Sequence, residues 1–394
     1  MWLRFPHISF RIKEEDLLET AVQRRCIPVA APDLSELEET FALEAIRSTW
    51  ISSTGPFISR FERQFAELCE ASHCLSVCNG TLALHLALLA LGVGPGDEVL
   101  VPSLTYVATA NAVRYVGAEP VFVDVDVETW CLDPRLIEAN VTRRTKGIIP
   151  VHLYGHPADM DPINHVAAVH GLWVLEDAAE AHLARYKGHT VGSLGDMATF
   201  SFYGNKVFTC GEGGAITLNS ARKELRLRTL RSQGMDPQRR YYHPTTGYNF
   251  RLTNVACAIL CAQLQRREEI LASRVKVFSA YRELLEEIPG IAFQPVASWA
   301  IPAPWLFNIT VNNREYGRSR DELIDLLARN GVETRPFFVP LHTMPPFQAE
   351  SKGRREHLPV TDSISAQGMN LPTHKGLTKG ELEYIASVIR KARK

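Results

Sequence analysis

CLSVCNGTLALHLALLALGVGPGDEVLVP, residues 74–102, reads as one strand–helix–strand unit. Its first five residues form a short β-rich run, and from Gly80 onward leucine and alanine recur at helical spacing. The glycines and proline of Gly-Val-Gly-Pro-Gly stop that helix, and the apolar run DEVLVP follows as the next strand. A strand carried by a crossover helix into another strand predicts an α/β sheet.

Working outward, the same rhythm continues in PVFVDVD, KGIIPVHLYG, LWVLED, MATFSFYG and GAITLNS, separated mostly by helical stretches such as DPINHVAAVHG. After about residue 265 the pattern changes. A long charged helix, RREEILASRVKVFSAYRELLEEIPG, precedes an isolated strand, WLFNITV, and a further helix, SRDELIDLLARNG. The fold expected is α/β: a large three-layer domain with a mostly parallel central sheet at 27–265, and a smaller C-terminal α/β domain at 266–394. Residues 1–26 form an extension of unknown role, in which KEEDLLETAVQR has helical character. The charged helix is expected to present a solvated face.

A chain of 394 residues exceeds what one core usually spans, in keeping with two domains. Hydrophobic residues make up 45% and charged residues 22%, and the net charge is -1, which gives no electrostatic footprint for nucleic acid or an anionic membrane. The eight cysteines are scattered, without Cys-x-x-Cys pairs or paired histidines, so we expect reduced, packed thiols and no metal site. The N-terminal aromatics are broken by Arg4, Pro6, His7, Arg11 and Lys13, unlike a signal peptide. No apolar run approaches the roughly 20 residues that span a bilayer, and a cytoplasmic protein is expected.

The chemistry is read from strand ends. Asp177 closes LWVLED and Lys206 follows the next strand, in FSFYGNKVFTCGEGG at 200–214. In an open α/β sheet such positions deliver side chains into the ligand crevice. A lysine and a carboxylate so placed suit pyridoxal phosphate, the lysine as a Schiff-base amine and the acid as the partner that keeps the pyridine nitrogen protonated. Gly80 and Thr81 add a strand-to-helix turn whose free N–H groups and hydroxyl suit a phosphate. The plainer reading makes Asp177 a helix cap and Lys206 a solvated loop residue.

In this order CNGT, EDAAEAH, SFYGNK with GEGG, and GYNFRLTN resemble the DegT-type sugar-nucleotide aminotransferases, a branch of the fold-type I, aspartate aminotransferase-like pyridoxal-phosphate enzymes. The resemblance runs from about residue 27 to 390. Within that branch WISSTGPFISRFE, DVDVETWCLDP, PVHLYGHPADMDPI and ETRPFFVPLHTMPPF are most similar to GDP-perosamine synthases, which aminate GDP-4-keto-6-deoxymannose at C4.

The resemblance implies Lys206 as the catalytic Schiff-base lysine and proton carrier, with Asp177 on the pyridine nitrogen. It implies Gly80, Thr81 and Ser201 at the cofactor phosphate, Tyr106 stacked on the ring, and Glu180, where many members have glutamine, at the ring hydroxyl. Asn249 is similar to an asparagine that serves the phosphate of the neighbouring subunit, which implies a homodimer with shared sites; otherwise it is a turn residue. Ser52, Ser53, Arg335 and His342 lie in segments that surround the nucleotide sugar, and arginine suits its diphosphate through bidentate hydrogen bonds. His182 either contacts substrate or cofactor or is structural, and Arg251 either orients its loop or meets substrate phosphate.

Two half-reactions are expected: L-glutamate converts pyridoxal 5'-phosphate to pyridoxamine 5'-phosphate, whose amine passes to the 4-keto sugar nucleotide. A dTDP- or UDP-linked sugar, or amination at C3, is the alternative. A dehydratase of this fold would have histidine at position 206, and a silent regulator would have lost Lys206 or Asp177.

Overall fold

The structure, a computed structural model, describes residues 26–394. The extension up to residue 25, with its expected helix, lies outside the described residues. Seven strands form the main sheet: β1 (His73–Val77), β2 (Glu98–Pro102), β3 (Glu119–Val123), β4 (Thr145–Ile148), β5 (Trp173–Asp177), β8 (Met197–Ser201) and β9 (Gly214–Leu218). Their order is β1-β9-β8-β5-β4-β2-β3, and β9 runs antiparallel to both its neighbours while every other pairing is parallel. The mostly parallel α/β sheet expected from residues 74–102 is the one observed.

Alternation along each strand builds the layers. Leu75, Val77, Val99, Val101 and Leu175 face one apolar cluster, whereas Cys74, Leu100 and Val174 face another. Successive side chains of a strand point to opposite faces, so strands covered on both faces read as continuous apolar runs. The helix Gly80–Leu91 covers the first face and buries Ala83, Leu84, Leu86, Ala87 and Leu88. The helices Pro56–Leu68 and Asn254–Gln265 cover the second, where Phe61 and Phe65 meet Phe202 and Phe200 edge-on at centroid distances of 5.4 and 4.8 Å. Truncating either phenylalanine removes a fully buried ring, at a cost of about 3–5 kcal/mol.

A short three-stranded sheet follows the third layer: β6 (Arg185–Tyr186), β7 (His189–Thr190) and β11 (Ala300–Ile301). The smaller unit carries β10 (Ile291–Phe293), β12 (Phe307–Val311), β13 (Arg335–Pro336) and β14 (Gly368–Leu371), all antiparallel. The run WLFNITV, expected as an isolated strand, therefore ends in β12, inside a four-stranded sheet. The helix Arg267–Leu285 exposes charge as expected, yet buries Ile270, Arg274, Val277, Tyr281 and Leu285 along one stripe.

Three segments cross the division drawn at residue 265. Ile27 bridges Val332, and Thr373 N–H donates to the Val29 carbonyl, so the start of the described chain packs with the smaller unit. Strand β11 pairs with β6 of the large unit. Leu341, Phe347 and Leu358 join the core of the main sheet, and Asp124 accepts the N–H groups of Val360 and Thr361. These returns hold Arg335 and Phe338 over the carboxyl ends of the parallel strands.

Candidate active site

The carboxyl ends of β1, β2, β5 and β8 open on a cavity of about 550 Å³. At the end of β1, Asn79 caps the next helix: its Oδ1 accepts from Leu82 N–H at 2.9 Å, and its carbonyl accepts from Ala83 N–H at 3.0 Å. The N–H groups of Gly80 and Thr81 are left at the cavity wall, at the positive end of a 12-residue helix. Glycine is required here by close approach. A Cβ on Gly80 would lie 2.8 Å from Ser201 Cβ, and one on Gly214 would lie 2.5 Å from the Asn79 carbonyl. The helix start is thus pressed between the ends of β8 and β9.

Asp177, at the end of β5, is 5% exposed. Thr109 Oγ1 donates to its Oδ2 at 2.8 Å and Ala179 N–H to its Oδ1 at 3.2 Å, which fixes the plane of the carboxylate. Burial pushes its pKa up, against those two hydrogen bonds and the Lys206 charge. Glu180, one turn on, accepts Tyr154 N–H at Oε2 (2.8 Å), and burial pushes it up to about 7 despite the opposing charge of Lys206. Behind the strand, Glu176 points to the other face and accepts from Gly192, Leu194 and Gly195 N–H, with His152 Nε2 at 3.1 Å. That buckle anchors the residue preceding Asp177.

Lys206 sits in the loop between β8 and β9, which is pinned by buried Phe202, Val207 and Phe208 and closed by Phe202 N–H donating to the Gly213 carbonyl at 2.8 Å. Its Nζ lies 4.0 Å from Glu180 Oε1 and 4.0 Å from the centroid of the Trp305 ring. Burial disfavours the ammonium and lowers the lysine pKa, with Glu180 and Asp177 pulling the other way. The lysine of the Phe200–Gly214 stretch is therefore neither a surface residue nor a snorkelling one.

Gly80, Thr81, Tyr106, Asp177, Glu180, Ser201, Lys206 and Arg335 share this one cavity. Six other expected residues do not line it in this chain. His182 is 0% exposed and wedged among Phe200, Phe202 and Phe208, so the substrate contact expected of it is replaced by core packing. His342 ties its loop to the large unit, with Nδ1 at 2.8 Å from Ser103 Oγ and Nε2 at 3.5 Å from Asp362, and is not among the residues that line the cavity. Ser52 spends its carbonyl on Asn254 N–H at 2.6 Å, and neither it nor Ser53 reaches the cavity of its own chain. Asn249 is exposed and accepts from Arg251 Nε at 3.0 Å; neither lines this cavity.

Sequence reasoning passed over Asn79, Thr109, Trp305 and Phe338, which also line it. Asn79 had a signal, an N-cap residue opening the helical run. Trp305 had none, because the lysine beneath it belongs to a distant segment.

The residues present fit pyridoxal phosphate. Unused helix N–H groups with the hydroxyls of Thr81 and Ser201 suit a phosphate, an oriented buried carboxylate suits a protonated pyridine, and a buried amine lies between. Among the described residues no group of three or more His, Cys, Asp or Glu is placed to hold a metal ion, and no helix is long and apolar enough to cross a membrane.

Comparison with known proteins agrees with this geometry. Residues 32–390 match the DegT/DnrJ/EryC1/StrS aminotransferase family. The chain is 47% identical over 364 residues to a GDP-perosamine synthase of Caulobacter vibrioides, covering 92% of this chain and 97% of that one. It is 41% identical to a GDP-perosamine synthase of Escherichia coli O157:H7, again covering 92% and 97%. Among solved structures, 3-amino-5-hydroxybenzoic acid synthase superposes with a TM-score of 0.85 at 34% identity, and S. venezuelae DesV, in complex with a ketimine intermediate, with 0.84 at 36%; each covers 93% of this chain and 99% of the other.

Proposed function

The chain belongs to the DegT/DnrJ/EryC1/StrS aminotransferase family, and from that premise we propose that it transfers an amino group from L-glutamate to GDP-4-keto-6-deoxymannose, giving GDP-perosamine, with pyridoxal 5'-phosphate as cofactor. The observation that carries this reading is the meeting of the Lys206 amine, the Asp177 carboxylate and the Gly80–Thr81 helix start in one cavity. The similarity to GDP-perosamine synthases from three organisms supports the guanine nucleotide and the 4-keto sugar.

Pyridoxal phosphate, when bound, supplies an aldehyde that exchanges between amines and a ring that draws electron density from the carbon losing a proton. The N–H groups of Gly80 and Thr81 and the hydroxyls of Thr81 and Ser201 would hold the phosphate end. Asp177, held by Thr109 and Ala179, would accept a hydrogen bond from a protonated ring nitrogen and keep that proton in place. Tyr106, beside Phe338 at 5.8 Å, would offer its ring for stacking on the cofactor. Lys206 Nζ, its charged form disfavoured by burial, takes a proton from the substrate carbon and returns it to the neighbouring one.

The guanidinium of Arg335 has no hydrogen bond or ion pair to any described residue and lines the cavity, where a diphosphate or the carboxylate of glutamate would satisfy it. Asn249 and Arg251 do not line their own chain's cavity, which fits a pair of chains in which each completes the other's site. We place the reaction in the cytoplasm.

The test adds L-glutamate with GDP-, dTDP- and UDP-linked 4-keto-6-deoxy sugars in separate reactions, reading 2-oxoglutarate and the aminated sugar by mass spectrometry. Product from the GDP sugar alone is expected. Product only from another nucleotide overturns the substrate, and no 2-oxoglutarate with any acceptor overturns amino transfer from glutamate.

A further inference from the structure

Lys206 Nζ lies between two groups that the amino-transfer reading leaves without a task in proton movement: the Trp305 ring and Glu180 Oε1, each 4.0 Å away. Glu180 does not swing freely, because Tyr154 N–H holds its Oε2 at 2.8 Å. Its Oε1 receives no hydrogen bond from any described residue and is turned toward the amine. The Trp305 ring is itself fixed, its Nε1 donating to the Asn205 carbonyl at 2.9 Å.

We propose that Glu180 is the proton store for Lys206, taking a proton from the lysine ammonium and returning it, while the Trp305 ring face keeps the amine in line. The inference deepens the amino-transfer reading and rests on it for its place in a catalytic cycle. In the step, an N–H bond at Nζ breaks with its electron pair left on nitrogen, and an O–H bond forms at Oε1. An ammonium and a carboxylate become a neutral amine and a neutral acid, and no other reactant is consumed. A shift of about 1 Å brings the two atoms to hydrogen-bond distance.

The surroundings narrow the energy gap between the two states. Burial works against both charged forms, raising the carboxyl to about 7 and lowering the lysine. Asp177, from β5, adds negative charge that disfavours ionised Glu180 and favours the ammonium; Arg335, from β13, adds positive charge that disfavours the ammonium. Tyr154 and Cys131, the other titratable neighbours of Glu180, are held neutral by burial. A pair whose charged forms are both disfavoured by burial can pass a proton over this short distance.

The test is made on the full-length chain free of cofactor, so that it reads the amine and not turnover. Lys206 modification by an amine-specific acylating reagent is followed by peptide mass spectrometry from pH 6 to 10 in the unaltered protein and in Glu180→Gln, whose side-chain carbonyl still accepts Tyr154 N–H. Without the neighbouring carboxylate the ammonium loses support, so Lys206 in Glu180→Gln reacts about tenfold faster at pH 7. Profiles that coincide within threefold overturn the proposal. Should Glu180→Gln fail to fold by circular dichroism, Glu180→Asp keeps the charge but shortens its reach, and its profile must shift the same way by a smaller factor; coincidence again overturns it. Trp305→Leu must also speed the reaction, by about threefold, and no change removes the ring from the proposal. Because neither glutamate nor sugar is present, failure to aminate any sugar refutes the function without touching this result.

Discussion

Gly214→Ala tests the cradle more sharply than any change to a polar group, because it alters only the distance between two backbones. The new Cβ would sit 2.5 Å from the carbonyl carbon and oxygen of Asn79 and 2.9 Å from Gly80 N. Ordinary contact begins near 3.4 Å, so one backbone must yield by about 0.9 Å. Gly214 is paired to Val77 on one side and Ser201 on the other, which leaves the helix start as the part that moves. Overpacking of this kind costs about 1–3 kcal/mol of stability. The larger effect falls on the phosphate: losing one N–H bond to a charged oxygen is worth about 2 kcal/mol, or roughly 30-fold in cofactor affinity. Equilibrium titration with pyridoxal phosphate, followed by absorbance, measures this directly, with urea unfolding in parallel. Gly94→Ala is the control, since a Cβ there meets nothing within 4 Å and its φ is ordinary. A Gly214→Ala protein that binds the cofactor within threefold of the unaltered value would refute the claim that this close approach builds the phosphate site.

Lys206→Ala should abolish multiple turnover yet still bind pyridoxamine phosphate at close to unaltered affinity; sustained turnover would remove Lys206 from its role. Arg335→Lys should raise the KM for the sugar nucleotide about tenfold or more, because an ammonium does not reproduce the bidentate fork, and an unchanged KM places the diphosphate elsewhere. His156 and His182 are held neutral by burial, at about 4 and about 3, against about 6.5 in an unfolded chain. Below pH 6.5 these two histidines remove up to roughly 2.7 kcal/mol of stability per pH unit between them, as the unfolded state binds two protons that the folded state refuses, while Glu180, raised to about 7 in the fold, gives back up to roughly 1.4 kcal/mol per pH unit over the same window. The urea midpoint should drop between pH 7 and pH 5, and drop less steeply in His182→Phe; the same slope in both proteins contradicts the burial argument.

The sheet was legible because its strands are covered on both faces. Runs such as LWVLED and DEVLVP carry no alternation of polarity, and their boundaries in the structure fall within about a residue of the runs themselves. The inner half of the site was legible for a related reason. Asp177, Ser201 and Gly80 each end or follow a parallel strand, and in such a sheet position along the chain fixes position around the crevice. Lys206 needed one further fact, that its loop returns to β9 through Gly213 and Gly214, and the glycine cluster announced it.

The outer half of the site was illegible because its placement depends on where the smaller unit docks. Nothing near Trp305 says that it will lie over Lys206; that follows from Arg274, buried at 2% exposure, donating to the Trp305 carbonyl at 2.9 Å and fixing this segment to the helix Arg267–Leu285. His342 and Arg335 share one short segment and looked equally suited to substrate, yet they part in the structure. Leu341 N–H donates to the Ser103 carbonyl at 3.0 Å and His342 pairs with the Ser103 hydroxyl, so the histidine is consumed in seating the segment on the end of β2. Arg335 pairs with Asn370 through the backbone of β13, and its guanidinium is left with no partner among the described residues, at a cavity that already holds Lys206, Asp177 and Glu180. A buried or half-buried guanidinium without a counter-charge is costly, and a site that keeps one is shaped for an anion that arrives from outside. The division of labour between two residues of one motif was set by which of them the docking contact used up, and that contact lies 239 residues apart in the chain.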